Sequence, residues 1–464
     1  MRKLLGLVVL LAIVFGVIYL VAGRLAGPSI QIAKPEKFVG AATPVDVVVD
    51  APGGRLTSAQ IVFEQNGVRT VLYDFPAASG ADTLVADGAD RVRISRTVGR
   101  ENVPAIQSGP ARLIVTASRP VVYGIRNVAS ETTHDVQVRL ERPRVSVLST
   151  HHYINLGGTE MIVYRVAPAD VQSGVIVGDT EYPGYPATGI TVEGVQISDP
   201  SARVAFFALR HDQALTTPMH LFARDEAGNS ARGDFEFRTF PKPFKKSRIE
   251  IADTLVARVV PAILAGTSEI KPSGTPIEQF VAINSELRKK NAEKIASFAS
   301  QSAPELLWKG VVFHAFGNTS AEAAFTDART YIYQGKEVDR QTHLGFDLAS
   351  FANTSIVAAN RGKVLFAEEL GIYGQCVIID HGMGVQSLYA HLSSIGVKPG
   401  TMVEKGQEIG RSGMTGLAAG DHLHFTMLVN GVAVNPVEWW DAHWMEDRVF
   451  RKIREAGGQA PTLK

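Results

Sequence analysis

The chain has 464 residues, 45% of them apolar, and a formal net charge of +1. That length suits roughly three domains with sizeable cores, and the balanced charge leaves no electrostatic footprint for nucleic acid. The single cysteine, Cys376, excludes a disulfide framework or a cysteine-ligated zinc within one chain. It lies in the apolar run GQCVIID and reads as a buried structural thiol.

Arg2 and Lys3 precede an unbroken apolar stretch at 4–22, which Arg24 closes. The stretch is close to the ~20 residues that cross a bilayer as a helix. It exceeds the roughly 7–15-residue core of a secretory signal, although Val21, Ala22 and Gly23 resemble a cleavage site. Residues 1–27 are expected to be an uncleaved signal anchor with its N-terminus in the cytoplasm. The rest of the chain would then lie outside the inner (cytoplasmic) membrane, in the periplasm or beyond.

Between 28 and 240, runs such as VDVVVD, AQIVFEQ, RLIVTAS, EMIVYRV and RVAFFALR alternate with Gly, Pro, Asn and Asp. Short strands at this spacing predict two β-sandwich-like domains, 28–143 and 144–240, divided near Pro143. HLFARDEAGNSARGDFEF resembles the last hairpin of bacterial immunoglobulin-like domains, with its turn at Ala227, Gly228 and Asn229. These sandwiches offer surface for a protein partner.

A basic stretch, PKPFKKSR, opens an expected linker with helices at 241–304. Asp253 is expected to cap a short helix through Val260, ended by Pro261. Thr275, Pro276 and Glu278 form a capping-box start, and Phe280, Leu287, Ile295 and Phe298 make an apolar stripe behind it. Strands and glycine turns then return, giving a compact antiparallel domain at 305–445 and a C-terminal tail at 446–464. The expected class is mainly β, with an open antiparallel sheet at the C-terminal end.

The chemistry-bearing residues cluster in that last domain. His343 and Asp347 stand in HLGFD, His391 in YAHLS, and His422 and His424 in DHLHF. Two imidazoles and one carboxylate are a natural ligand set for a hydrolytic zinc ion, leaving a fourth position for water. On a strand, His422 and His424 share a face, so one is free to bind metal while the other approaches substrate. Tyr389 and His391 are likewise expected to share a face. Tyr389 reads as packing or as a supporting donor, and His381, in IIDHGMG, as a turn or supporting residue. The separation of His343 and Asp347 fits a helix, yet Gly345 and the following strand-like sequence fit an extended segment equally. His151 and His152 read as surface or structural, and His314 and His443 lack a motif.

HLGFDLA, YAHLSSI and GDHLHF, with VKPGTMVEKGQEIGRSGMTG in place between them, resemble the lysostaphin/LytM-like zinc metalloendopeptidases over residues 335–440. The resemblance implies an open, mainly antiparallel sheet crossed by a groove. It implies one zinc ion per chain held by His343, Asp347 and His424, with His391 and His422 as catalytic histidines. It also implies peptidoglycan peptide stems as substrate. Some members cut glycine bridges, and many with membrane anchors cut D-alanyl–diaminopimelate cross-links. One departure is Asp421, where proline is frequent.

Two other readings compete. The family also contains degenerate members that act as non-enzymatic regulators or wall-binding modules activating another hydrolase; all five positions are intact here. VKPGTMVEKGQEIG also resembles lipoyl and biotinyl carrier domains, which would make Lys405 the modified residue and leave the histidines unexplained.

Overall fold

A computed structural model describes residues 2–51, 55–77, 85–308, 312–315, 317 and 320–458. The chain is mainly β and divides into two compact units, Met1–Pro143 with Arg224–Ala231, and Arg144–Ala223 with Arg232–Lys464.

In the first unit, Arg2–Ala22 is one helix. Its segment Leu5–Ala22 has a mean hydropathy of 3.0 and is only 6% buried, long and apolar enough to cross a membrane by length and composition. Beyond it, a five-stranded and a four-stranded sheet pack face to face. Alternation supplies their shared core: Val45, Val47 and Val49 from one sheet meet Ile61, Phe63, Leu113 and Val115 from the other.

In the second unit, two four-stranded sheets are built around Thr159–Ala167, Ala202–Ala208, Gln172–Val177 and Met219–Arg224. The largest sheet has eight strands and carries the peptidase-like motifs. Along it run Ser320–Ala323, Phe346–Ala349, Leu423–Val429, Val385–Leu392, Gln375–Gly382, Gly362–Glu369 and Met402–Val403, and Val432–Val434 pairs with the central Leu423–Val429. Every pairing in it is antiparallel.

The expected linker at 241–304 is largely structured. Lys246–Glu250 pairs in parallel with Asp327–Tyr333, which pairs with Lys336–His343. The linker therefore supplies an edge strand to the sheet that delivers His343. The first helix of this region does not stop at Pro261. It runs Asp253–Gly266 with Pro261 inside, and Ala252 rather than Asp253 stands at its cap. An interior proline disfavours a helix by ~3 kcal/mol. Burial of Val256, Val259, Val260 and Ile263 against Phe280 and Ile283 offsets that cost. The capping box at Thr275 is formed, with Glu278 Oε2 accepting from Thr275 N at 2.7 Å. That helix continues through a π-turn, Ile283–Leu287, into Arg288–Ser297.

Residues 446–458 are not a tail. A π-turn, Glu446–Phe450, and a helix, Arg451–Gly457, bury Val449, Ile453 and Ala456 in one core with Met161, Phe206 and Phe425. Lys452 Nζ, with no exposed surface, donates to Glu160 Oε1 at 2.5 Å and to the Met161 carbonyl at 2.9 Å. Nearby, Glu438 accepts from Asn155 Nδ2 at 2.9 Å and Thr159 N at 2.8 Å. Burial raises its carboxyl to about 7, against the pull of those donors.

Two stability predictions follow from these contacts. Lys452→Met leaves Glu160 buried without its cation and is expected to destabilise by about 3–5 kcal/mol in chemical denaturation. Because Glu438 holds its proton more tightly when folded, its contribution is complete below the ordinary carboxyl range near 4.5 and is lost as pH rises through about 7. Stability measured between these limits should fall with pH, and Glu438→Gln should flatten that slope.

Candidate metal centre

Three acceptor atoms meet where two sheets join. His343 ends the strand Lys336–His343, while Asp347 lies in Phe346–Ala349 of the eight-stranded sheet, directly paired with His424. The chain crosses from one sheet to the other through Leu344 and Gly345. A Cβ on Gly345 would lie 2.3 Å from the His424 ring and 2.6 Å from Thr426 Oγ1. Only glycine allows this crossing to press against the histidine.

The separations are short: His343 Nε2 to Asp347 Oδ1 3.0 Å, His343 Nε2 to His424 Nδ1 3.0 Å, and His424 Nδ1 to Asp347 Oδ1 2.9 Å. All three residues are buried. Their outer hydrogen bonds assign the tautomers. His343 Nδ1–H donates to the Ala324 carbonyl at 3.0 Å, so Nε2 is the bare nitrogen. Thr426 Oγ1–H donates to the Leu344 carbonyl at 3.0 Å, so the oxygen accepts from His424 Nε2–H at 3.1 Å and leaves Nδ1 bare. Three lone pairs therefore converge with no proton to share among them. A zinc ion with bonds of ~2.0–2.1 Å has tetrahedral edges of about 3.3 Å. The donor set fits such an ion, with one coordination position left over.

Titration behaviour agrees. Burial is the largest influence on His424 and brings it down to about 4, despite the adjacent Asp347. His424 is thus a neutral imidazole at neutral pH, the form that binds metal.

His391 and His422 complete the cluster. Their rings lie 4.8 Å apart, and that of His391 is 5.8 Å from His424. His391 Nδ1–H donates to the Thr415 carbonyl at 2.8 Å and His422 Nδ1–H to the Gly420 carbonyl at 2.9 Å. Each Nε2 is left free, that of His422 at 3.6 Å from Asp347 Oδ1. Burial, then the neighbouring His422 and His424, lowers the His391 basicity well below the ordinary value. Asp421 turns away and accepts from Asn353 N at 3.1 Å.

Tyr389 and His391 do not share a face. His391 has φ +62°, which breaks the strand alternation and turns its ring toward His424. Tyr389 instead packs on Phe425, 5.3 Å between rings, on the sheet's opposite face. Its hydroxyl accepts from Ala359 N at 2.8 Å and from Ser387 Oγ at 2.9 Å. His381 bonds the same Ser387 at 2.7 Å and the Arg361 carbonyl at 2.9 Å. Neither supports the metal cluster; both belong to a buried polar chain behind the sheet. Lys405 is committed to the Val312 carbonyl at 2.6 Å.

Arg329 was not signalled by any motif. Its Nη2 donates to Asp347 Oδ2 at 3.1 Å, holding the carboxylate oxygen that the histidines do not use. Its strand neighbour Asp327 receives Ser247 Oγ at 2.8 Å, which ties the edge strand Lys246–Glu250 to this network. Thr426 was legible in principle, since it shares the face of His424 two residues on. A cavity of about 310 Å³ opens over the cluster and is lined also by Leu255, Phe280, Arg288 and Tyr373. The Tyr373 ring meets His424 at 5.5 Å.

Residues 341–436 match the description Peptidase family M23. The C-terminal region holds a peptidase family M23 domain. The DD-carboxypeptidase/endopeptidase Mpg of Neisseria meningitidis serogroup B is 42% identical over 95 residues, 20% of this chain and 22% of that protein. The peptidoglycan DD-endopeptidase ShyA of Vibrio cholerae is 38% identical over 96 residues, 21% of this chain and 22% of that protein. The matches span about a fifth of the length of these curated relatives. The lysostaphin catalytic domain from Staphylococcus simulans is 28% identical with a TM-score of 0.23, covering 26% of this chain and 90% of that one.

The assigned tautomers of this M23 domain make a prediction. Thr426→Val removes the acceptor that keeps the proton on His424 Nε2. Zinc affinity, measured by competition with a chromophoric chelator, should fall ~10–100-fold.

Proposed function

We propose that this chain is a zinc-dependent endopeptidase that hydrolyses peptide cross-links of bacterial peptidoglycan. The observation that carries this reading is the convergence of three bare acceptor atoms beside two further histidines with free Nε2 atoms. His343 would bind zinc through Nε2, His424 through Nδ1 and Asp347 through Oδ1. Bound there, zinc would polarise the scissile carbonyl and acidify water in the open position. His391 and His422 face the same cavity through bare Nε2 atoms; one of them would take the proton from water and, as the imidazolium, donate to the developing oxyanion before returning that proton to the leaving amine.

The relative named as a peptidoglycan DD-endopeptidase supports the substrate class. The apolar helix Arg2–Ala22 supports attachment to the inner membrane, with Arg2 and Lys3 on the cytoplasmic side and the peptidase outside it. In this reading the helix keeps the enzyme close to the wall it cuts.

The test is digestion of purified peptidoglycan with zinc quantified in the same samples. His343→Ala should lose metal and hydrolysis together. His391→Ala should keep zinc while turnover drops ~10²–10⁴-fold. Undiminished hydrolysis by purified His424→Ala would refute the ligand assignment.

A further inference from the structure

We propose that Arg288 is the residue that selects the substrate, by binding a free carboxylate next to the scissile amide. This inference rests on the peptidase reading and names the chemistry that the cavity recognises.

The local backbone is shaped around this side chain. At the π-turn Ile283–Leu287, the Arg288 N–H bonds to the Ile283 carbonyl, five residues back. An α-helical bond would have taken the Asn284 carbonyl instead. That freed carbonyl accepts from Arg288 Nε at 2.9 Å, and Asn284 Oδ1 accepts from Arg288 Nη2 at 2.6 Å. Asn284 is fully buried, and its amide nitrogen donates to Asp339 Oδ2 at 2.7 Å. The guanidinium is therefore fixed along one edge by a neutral residue, itself locked in place.

The charge remains available. Of the two arginines lining the cavity, Arg329 is committed to Asp347 and Asp327. Arg288 has no ion pair among the described residues, and its Nη1 hydrogens are not used by its bonds to Asn284. A guanidinium with a free edge matches a carboxylate in two-point geometry. Arg288 lies on the cavity wall with Tyr373, whose hydroxyl feels its charge and whose ring touches His424. A carboxylate held there would lie in the same cavity as the metal cluster rather than at a remote surface.

A cross-link made through the amine of diaminopimelate has this chemistry, because the carbon bearing that amine also bears a free carboxylate. A glycine bridge has none at the corresponding position. Arg288 would thus favour the diaminopimelate-type link by pairing with the carboxylate on the carbon that bears the scissile nitrogen.

The experiment uses the zinc-loaded full chain in detergent and two synthetic cross-linked peptides. They differ only in whether this carboxylate is free or a primary carboxamide, and intact peptidoglycan is digested in parallel. The wild type should favour the free acid by ~10–100-fold in kcat/KM. Arg288→Gln should bring the ratio to near one by slowing the acid peptide alone, with melting temperature and zinc content unchanged; Arg288→Lys should restore part of the preference. No preference in the wild type, or an equal loss on both peptides in Arg288→Gln, overturns the assignment while leaving the peptidase reading intact. No cleavage of either peptide or of peptidoglycan overturns the peptidase reading and the assignment with it.

Discussion

Three unprotonated acceptor atoms held about 3.0 Å apart away from water repel one another unless a cation lies between them. The surrounding structure keeps them in that arrangement. The Ala324 carbonyl and Thr426 hydroxyl take the outer protons of the two imidazoles, so neither ring can relieve the crowding by turning its N–H inward. Arg329 holds the second oxygen of Asp347, and the lack of a side chain at Gly345 lets the crossing between the two sheets close against His424. The site is organised before metal arrives, which reduces the reorganisation that binding requires.

That organisation draws on elements well outside the motif-bearing sheet. The strand Lys246–Glu250 extends the sheet that ends at His343, and Ser247 reaches Asp327 beside Arg329. Arg258, on the helix Asp253–Gly266, donates to the Ala418 carbonyl at 2.7 Å, steadying the loop that supplies the carbonyl partners of His391 and His422. The adjoining helix carries Leu287 and Phe280 into the core and turns Arg288 to the cavity. On the other side, the buried Lys452–Glu160 pair and the Glu438 contacts join the sandwich strands to the end of the chain. Segments that look like spacers are thus part of the body that fixes the site.

Much of this was legible in local pattern. Alternating apolar runs give the strands, the Thr275–Glu278 pair gives a helix start, and the spacing in DHLHF puts two imidazoles in one cleft. The misreadings share a cause. Pro261 reads as a helix stop because propensity is local, whereas the helix persists on packing. Residues 446–458 read as a tail because Lys452 and its charged neighbours look solvated, and the buried partner lies almost three hundred residues away in sequence. Tyr389 and His391 read as sharing one face because parity presumes regular backbone, and the left-handed turn at His391 suspends that rule.

Sequence by itself determined the donor inventory: which imidazoles and carboxylates exist, their spacing, the intact motif set, the mainly β class and an apolar helix of membrane-crossing length. These follow from covalent order and from periodicities of a few residues. Tertiary structure alone decided which nitrogen of each histidine is bare, that Arg329 shares Asp347, that Tyr389 and His381 stand behind the sheet, and that Arg288 enters the cavity with an unspent charge. Those properties depend on hydrogen-bond partners brought together from distant strands and helices. A proton's position on an imidazole, or the availability of a guanidinium, is set by its neighbours in space.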